Sequence, residues 1–211
     1  AREELLNAMR LLPRRVSHEA YNNLGVAYWM TDDPEAALDH LRESVNIVRE
    51  FGIDYSASRE NLVSFLVKLH IQAMQTEEFE KARVYIAEAL TYYPKDPILH
   101  TLIADLYQAV GRFGDAAWET EWVMKHSEDL PAELLGHIRE QLPRLLNEQA
   151  AQLLQGRRFE EAEPVLREAV KMRPDYALAL SNLGMVLSGL GRHEEALETL
   201  DRALSIDPTL I

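Results

Sequence analysis

The stretch FEEAEPVLREAVKMRP at 159–174 recurs as FEKARVYIAEALTYYP at 79–94 and HEEALETLDRALSIDP at 193–208. In each, an aromatic ring or imidazole is followed by Ala three residues on, an aliphatic four later, Ala three later and Pro five later. That spacing sets small and large apolar groups on one stripe of a helix and ends the helix before the proline. The same frame fits PEAALDHLRESVNIVR at 34–49 and FGDAAWETEWVMKHSE at 113–128, both without the proline. The leading alanines are Ala37, Ala82, Ala116, Ala162 and Ala196, with successive spacings of 45, 34, 46 and 34. A period near 34 means one supersecondary unit repeated, each burying its apolar face on its neighbours.

A second pattern lies upstream of the first: Tyr21-x-x-Leu24-Gly25-x-x-Tyr28 before Ala37, and Leu180-x-x-Leu183-Gly184-x-x-Leu187 before Ala196. Together the two patterns resemble the tetratricopeptide repeat, a 34-residue helix–turn–helix unit. Gly25, Ala104, Ala150 and Gly184 are the small residues that let the two helices of a unit approach closely. The frames predict repeats over 18–51, 63–96, 97–130, 143–176 and 177–211. Residues 1–16 fit the second helix of a truncated repeat. With that half-unit at one end and no polar capping helix at the other, the expectation is an excerpt of a longer protein. Two positions depart from the pattern and predict local repacking: His70 where a small residue is usual, and Thr120 where the second helix normally carries a bulky apolar.

The two long spacings locate inserts at 52–62 (GIDYSASRENL) and 131–142 (PAELLGHIREQL), which extend helices or add a short one. Pro131 suits a helix start, and Pro143 is expected to kink or restart the helix. Residues 72–116 align with 152–196 without gaps, so a two-unit block of about eighty residues reads as duplicated.

The resemblance implies an all-α fold, a right-handed superhelical solenoid of antiparallel helix pairs. It also implies that the first helix of each unit lines a concave groove holding a segment of a protein or peptide partner. On that reading the groove is lined by Asn22, Asn23, Val26, Trp29 and Met30 in the first unit and by Lys68, Ile71 and Met74 in the second. Asp105 and Gln108 follow in the third, Arg144, Asn147 and Glu148 in the fourth, and Asn182 and Met185 in the fifth. Amides such as Asn23 and Asn182 can both donate to and accept from a peptide backbone, and Met side chains adapt to varied apolar groups. The competing reading for each aliphatic is packing against the neighbouring helix. A clamp for acidic chaperone tails is not expected, because the first unit has no groove lysine and Lys68 and Arg144 stand alone.

Trp118 and Trp122 lie on one helix face, opposite the residues that carry the core stripe. They are expected to point outward, there to be covered by the amphipathic 131–142 insert or to form a second interface.

A formal charge of −13 argues against nucleic acid and anionic membranes. No apolar run is long enough to span a bilayer, so no membrane insertion is expected. Cysteine is absent, which removes thiolate chemistry and disulfides and fits any compartment; a cytoplasmic location is expected ahead of a periplasmic one. The seven histidines form no metal motif, and His137-x-x-Glu140 alone is commonplace on a solvated helix. GLGRHE at 189–194 has no preceding strand and reads as an interhelical turn. Acidic pairs such as Glu194-Glu195 sit at helix starts, where they complement the dipole. The expectation is a protein-binding scaffold with no catalytic, cofactor or metal site. The alternatives are the substrate-recognition arm of a larger enzyme, such as a glycosyltransferase, and a self-assembling module forming homo-oligomers.

Overall fold

A computed structural model describes residues 13–31, 33–127 and 130–210. Residues 1–12, and with them most of the expected truncated repeat, lie outside the described residues. Among the described residues there are ten α-helices and no strand. They are α1 (His18–Met30), α2 (Pro34–Phe51), α3 (Ser56–Gln75), α4 (Phe79–Tyr92) and α5 (Pro97–Ala109). Then follow α6 (Phe113–His126), α7 (Ala132–Gln155), α8 (Phe159–Met172), α9 (Ala177–Gly189) and α10 (His193–Ile206). The chain divides into two compact units, residues 1–99 and 100–211, a division that falls in the first turn of α5.

In the first unit α1 packs on α2 and α3 on α4, and α2 bridges the two pairs through α3. The start of α2 is set locally: Pro34 occupies its first turn, and the Asp33 carboxylate accepts from the Ala36 amide at 3.2 Å. Ala37, Leu41 and Ile47 of α2, Leu62, Phe65 and Leu66 of α3 and Ala82, Ile86 and Ala89 of α4 are buried and form the core. Close packing is compulsory at Gly25, where an added Cβ would fall 2.5 Å from Leu41 Cγ and 3.1 Å from the Ala37 carbonyl oxygen. In α3, His70 takes the place of that small residue. Its buried ring donates from Nδ1 to the carbonyl of Ala82 at 2.9 Å, so the alanine carbonyl that Gly25 merely abuts is here hydrogen-bonded.

In the second unit α7 packs on α6 and α8, and α9 on α8 and α10. Ala162, Leu166 and Ala169 of α8 pack with Ala150 of α7, Leu183, Val186 and Leu187 of α9, and Ala196 of α10. Gly184 repeats the geometry of Gly25: an added Cβ would lie 2.5 Å from Leu200 Cγ. Thr120 is buried and satisfies its hydroxyl on the Ala116 carbonyl of its own helix at 2.7 Å, which lets it stand in an apolar slot. Gly191 turns α9 into α10 at φ +77°, the left-handed region. The equivalent turn between α7 and α8 places Arg157 at φ 56°, so the connection does not depend on glycine.

Both inserts lengthen first helices. Residues 56–62 form the opening turns of α3, after a short connection at 52–55. The 131–142 segment supplies the opening half of α7, a helix that continues through Pro143 to Gln155. No restart occurs at Pro143. Proline there removes the hydrogen bond to the Arg139 carbonyl and crowds that oxygen, yet the helix runs on, the buried proline ring lying between the buried Leu142 and Leu145 in sequence.

Candidate functional site

In the first unit the outward faces of α1 and α3 meet around Trp29. Its ring leans on the buried Phe65 of α3, with centroids 5.0 Å apart, and Lys68 Nζ lies 5.4 Å from the indole centroid on the other helix. Phe65 and Lys68 are one turn apart on α3, so a single helix face both supports and caps the indole. Val26 and Met74 are half-buried beside this pair of helices; Asn23 and Ile71 are exposed, and Met30 is 82% exposed at the end of α1. The face therefore offers apolar surface, one ammonium and one unencumbered amide. Cation–π contact also restrains Lys68 before any partner arrives.

In the second unit, Gln108 of α5 and Arg144 and Glu148 of α7 come together around a small hollow of about 60 Å³, with Phe113 as its apolar wall. Asp105 and Met185 are exposed on α5 and α9. Burial pushes the nearby Tyr176 hydroxyl above its ordinary range, Glu148 pushes it the same way, and Arg144 and Arg173 oppose the shift.

Three of the expected groove amides are spent inside the fold. Asn22 is buried and accepts at Oδ1 from Asn61 Nδ2 at 3.0 Å, tying α1 to α3. Asn147 is buried and accepts at Oδ1 from Asn182 Nδ2 at 2.8 Å, tying α7 to α9. Only Asn23 among the four is exposed. Asn61 lies in the 52–62 insert and carried no signal in the repeat frame.

The two tryptophans part company. Trp118 is 59% exposed. Trp122 is half-buried, stacked between His100 at 3.7 Å and His126 at 4.4 Å between ring centroids. The 131–142 insert does not cover Trp118. Its Leu142, with Leu145, packs on Ala116 and Ala117, the opposite face of α6.

His100 brings a group that sequence reading missed. Its Nδ1 lies 2.6 Å from Glu119 Oε2, and both side chains are about nine-tenths buried. The signal was present: Glu119 falls in the slot that sister units fill with His40, Tyr85, Val165 and Thr199. His100 occupies the slot of Tyr21, and Tyr21 meets His40 in the same way, with ring centroids 5.8 Å apart. The buried pair is a polar version of a packing contact that the repeat makes elsewhere. Among the described residues no group of three or more acidic or histidine side chains could hold a metal ion, and no helix is long and apolar enough to cross a membrane.

Tetratricopeptide-repeat family models match residues 19–54 and 148–211. No curated protein sequence matches the chain. Among solved structures, a point mutant of MamA is 18% identical, covers 94% of each chain and has a TM-score of 0.50. MamA from Desulfovibrio magneticus RS-1 is 14% identical over 92% of this chain and 97% of its own, with a TM-score of 0.48. YrrB, described as a TPR protein with an unusual peptide-binding site, is 16% identical over 100% of this chain and 95% of its own, with a TM-score of 0.43. The likeness to these structures is one of fold. The paired helices with their recurring Ala and Gly contacts, together with the family matches at both ends, make this chain a tetratricopeptide-repeat protein.

Proposed function

We propose that this chain is a non-catalytic scaffold whose first-helix faces bind an extended or helical segment of a partner protein. The observation that carries the reading is the Trp29 face. A half-buried indole supported by Phe65 and capped by Lys68 is a rigid anchor of the kind that dominates protein interfaces. Around it, Asn23 supplies hydrogen bonding, while Ile71 and Met30 supply exposed apolar area that a partner would cover. In the second unit Gln108, Arg144 and Glu148 give a mixed polar contact, which suits register more than affinity. The family supports the general role, since repeats of this kind work as interaction modules.

The test is selection of peptides from a displayed library against the whole chain, followed by measurement of the best binder on variants. Trp29→Ala should weaken it about tenfold or more, as expected for an anchor worth at least 1–2 kcal/mol. Trp118→Ala should leave it unchanged. Failure to select any binder, or a binder indifferent to Trp29, contradicts the reading.

A further inference from the structure

The two segments that interrupt the repeat period each wall a cleft. In the first unit, a hollow of about 310 Å³ lies between the end of α2, the 52–55 connection with the first turn of α3, and the last residue of α4. Val48 and Ile53 give it an apolar floor, Tyr55 and Tyr92 line it, and Arg49 and Arg59 bring the positive charge, with Asp54 as its one acidic residue. In the second unit a hollow of about 510 Å³ lies between the middle of α7 and the end of α8. Pro143 and Met172 are apolar there, and Arg139, Arg144 and Arg173 outnumber Glu140.

The clefts are counterparts. Arg59 and Arg139 occupy the same register of the duplicated block of about eighty residues, as do Tyr92 and Met172, which close the clefts from α4 and α8. The described arginines fall into two groups, those that hold a carboxylate and those, Arg15, Arg157 and Arg202 among them, that hold none; Arg49, Arg59, Arg139 and Arg144 of the clefts belong with the second. Arg14, Arg42, Arg112, Arg158, Arg167 and Arg192 each hold a carboxylate within 3.0 Å. Among the described residues, no ion pair is made by Arg49, Arg59, Arg139 or Arg144, in a chain with thirteen more acidic than basic groups. Arg173 has only a long contact, 3.8 Å to Asp175. Two of these guanidinium groups lie over tyrosine rings, Arg59 over Tyr93 at 5.4 Å and Arg173 over Tyr176 at 4.9 Å from the ring centroid, a cation–π contact that restrains them without engaging a carboxylate.

We propose that the insert-built clefts are anion sites, each taking a carboxylate or phosphoryl group carried on a short acidic stretch of a partner protein. A guanidinium fork matches either oxyanion in bidentate geometry. The apolar floor and the methionine and proline side chains suit the aliphatic stem of an acidic residue. The overall negative charge opposes long polyanions, so a short acidic stretch fits where nucleic acid does not. The first-unit cleft is lined by none of the residues of the Trp29 face, whereas the second-unit cleft shares Arg144 with the polar contact of α5 and α7.

The experiment titrates the whole chain at low ionic strength with acetylated tetraglutamate, with tetraglutamine and with a phosphoserine-containing tetrapeptide, followed by calorimetry and amide shifts. Tetraglutamate should bind about tenfold tighter than tetraglutamine, and the binding should weaken with salt. The phosphopeptide arm ranks the two oxyanion sources. The double variants Arg49→Gln/Arg59→Gln and Arg139→Gln/Arg173→Gln should each abolish one of the two binding events, whereas Arg157→Gln, an exposed control, should change neither. Trp29→Ala should also leave tetraglutamate binding intact, which separates this result from the fate of the peptide-binding face. Equal binding of tetraglutamate and tetraglutamine, or double variants that bind as the parent does, overturns the proposal. So does tight binding to vesicles of anionic lipid that tetraglutamate fails to displace.

Discussion

Asn182 Nδ2 donates to Asn147 Oδ1 across 2.8 Å, and the two buried amides join α9 to α7. Asn61 and Asn22 join α3 to α1 by the same bond in the other compact unit. In both cases successive first helices are joined by one side-chain amide pair inside the fold, away from any partner.

Asn182→Ala leaves the Asn147 oxygen buried without its donor, so it should cost about 1–3 kcal/mol in urea unfolding. Asn23→Ala, at an exposed site, should cost less than about 0.5 kcal/mol. A result in which both variants unfold at the parent midpoint would remove the amide pair from the account.

Gly184→Ala should be more damaging than its size suggests. The new methyl would lie 2.5 Å from Leu200 Cγ, and the Leu200 side chain must shift to admit it. Overpacking of this kind costs about 1–3 kcal/mol, and Gly25→Ala should behave alike against Leu41. Thermal unfolding of the two variants checks both, with Gly136→Ala, at an open site, as the tolerated control.

Acid should weaken the second unit through an identifiable network. Glu163 accepts from Arg167 at 2.8 Å and Arg192 at 2.6 Å, and Glu195 pairs with the same two arginines, joining α8 to the start of α10. The Arg167 hydrogen bond, aided by Arg192, holds the Glu163 carboxyl below its usual range despite partial burial. Glu195 is lowered for the same reasons, Arg167 first. A carboxyl lowered on folding stabilises the fold fully above its unfolded pKa, and that contribution is lost as pH falls through the folded value. The network should therefore be intact above about pH 5 and fade below it. Glu163→Gln should flatten the decline of the urea midpoint between neutral and acid pH; an unchanged decline would contradict the assignment.

Removing one member of the buried His100–Glu119 pair should be severe. Glu119→Ala leaves the buried imidazole without its carboxylate partner, and loss of a buried hydrogen bond of this kind costs about 1–3 kcal/mol. Trp118→Glu, on the exposed side of the same helix, should leave the unfolding midpoint within about 0.5 kcal/mol of the parent. Near-equal effects of the two substitutions would mean that α6 presents its faces otherwise.

Much of this was legible in the sequence. The alanine stripes, the close approaches at Gly25 and Gly184 and the outward register of Trp118 follow from a period that repeats, because packing rules act identically in each unit. What escaped depends on the departures from that period. The 52–62 insert lengthens α3, and only then does Asn61 reach Asn22. The 131–142 insert fuses with the next helix although Pro143 lies at the junction, because Leu142, Pro143 and Leu145 are buried together there. His100 and His126 sandwich Trp122 from one distant and one local position, and a register count sees only the local one. Trp122 thus became half-buried although its slot faces outward.

The most direct measurement is the affinity of a library-selected peptide for the parent chain, Trp29→Ala and Asn182→Ala, read by calorimetry under one set of conditions. A loss of about tenfold or more for Trp29→Ala, with Asn182→Ala binding as the parent while folded, is the predicted result. Undiminished binding to Trp29→Ala would contradict a partner-binding face built on the first helices.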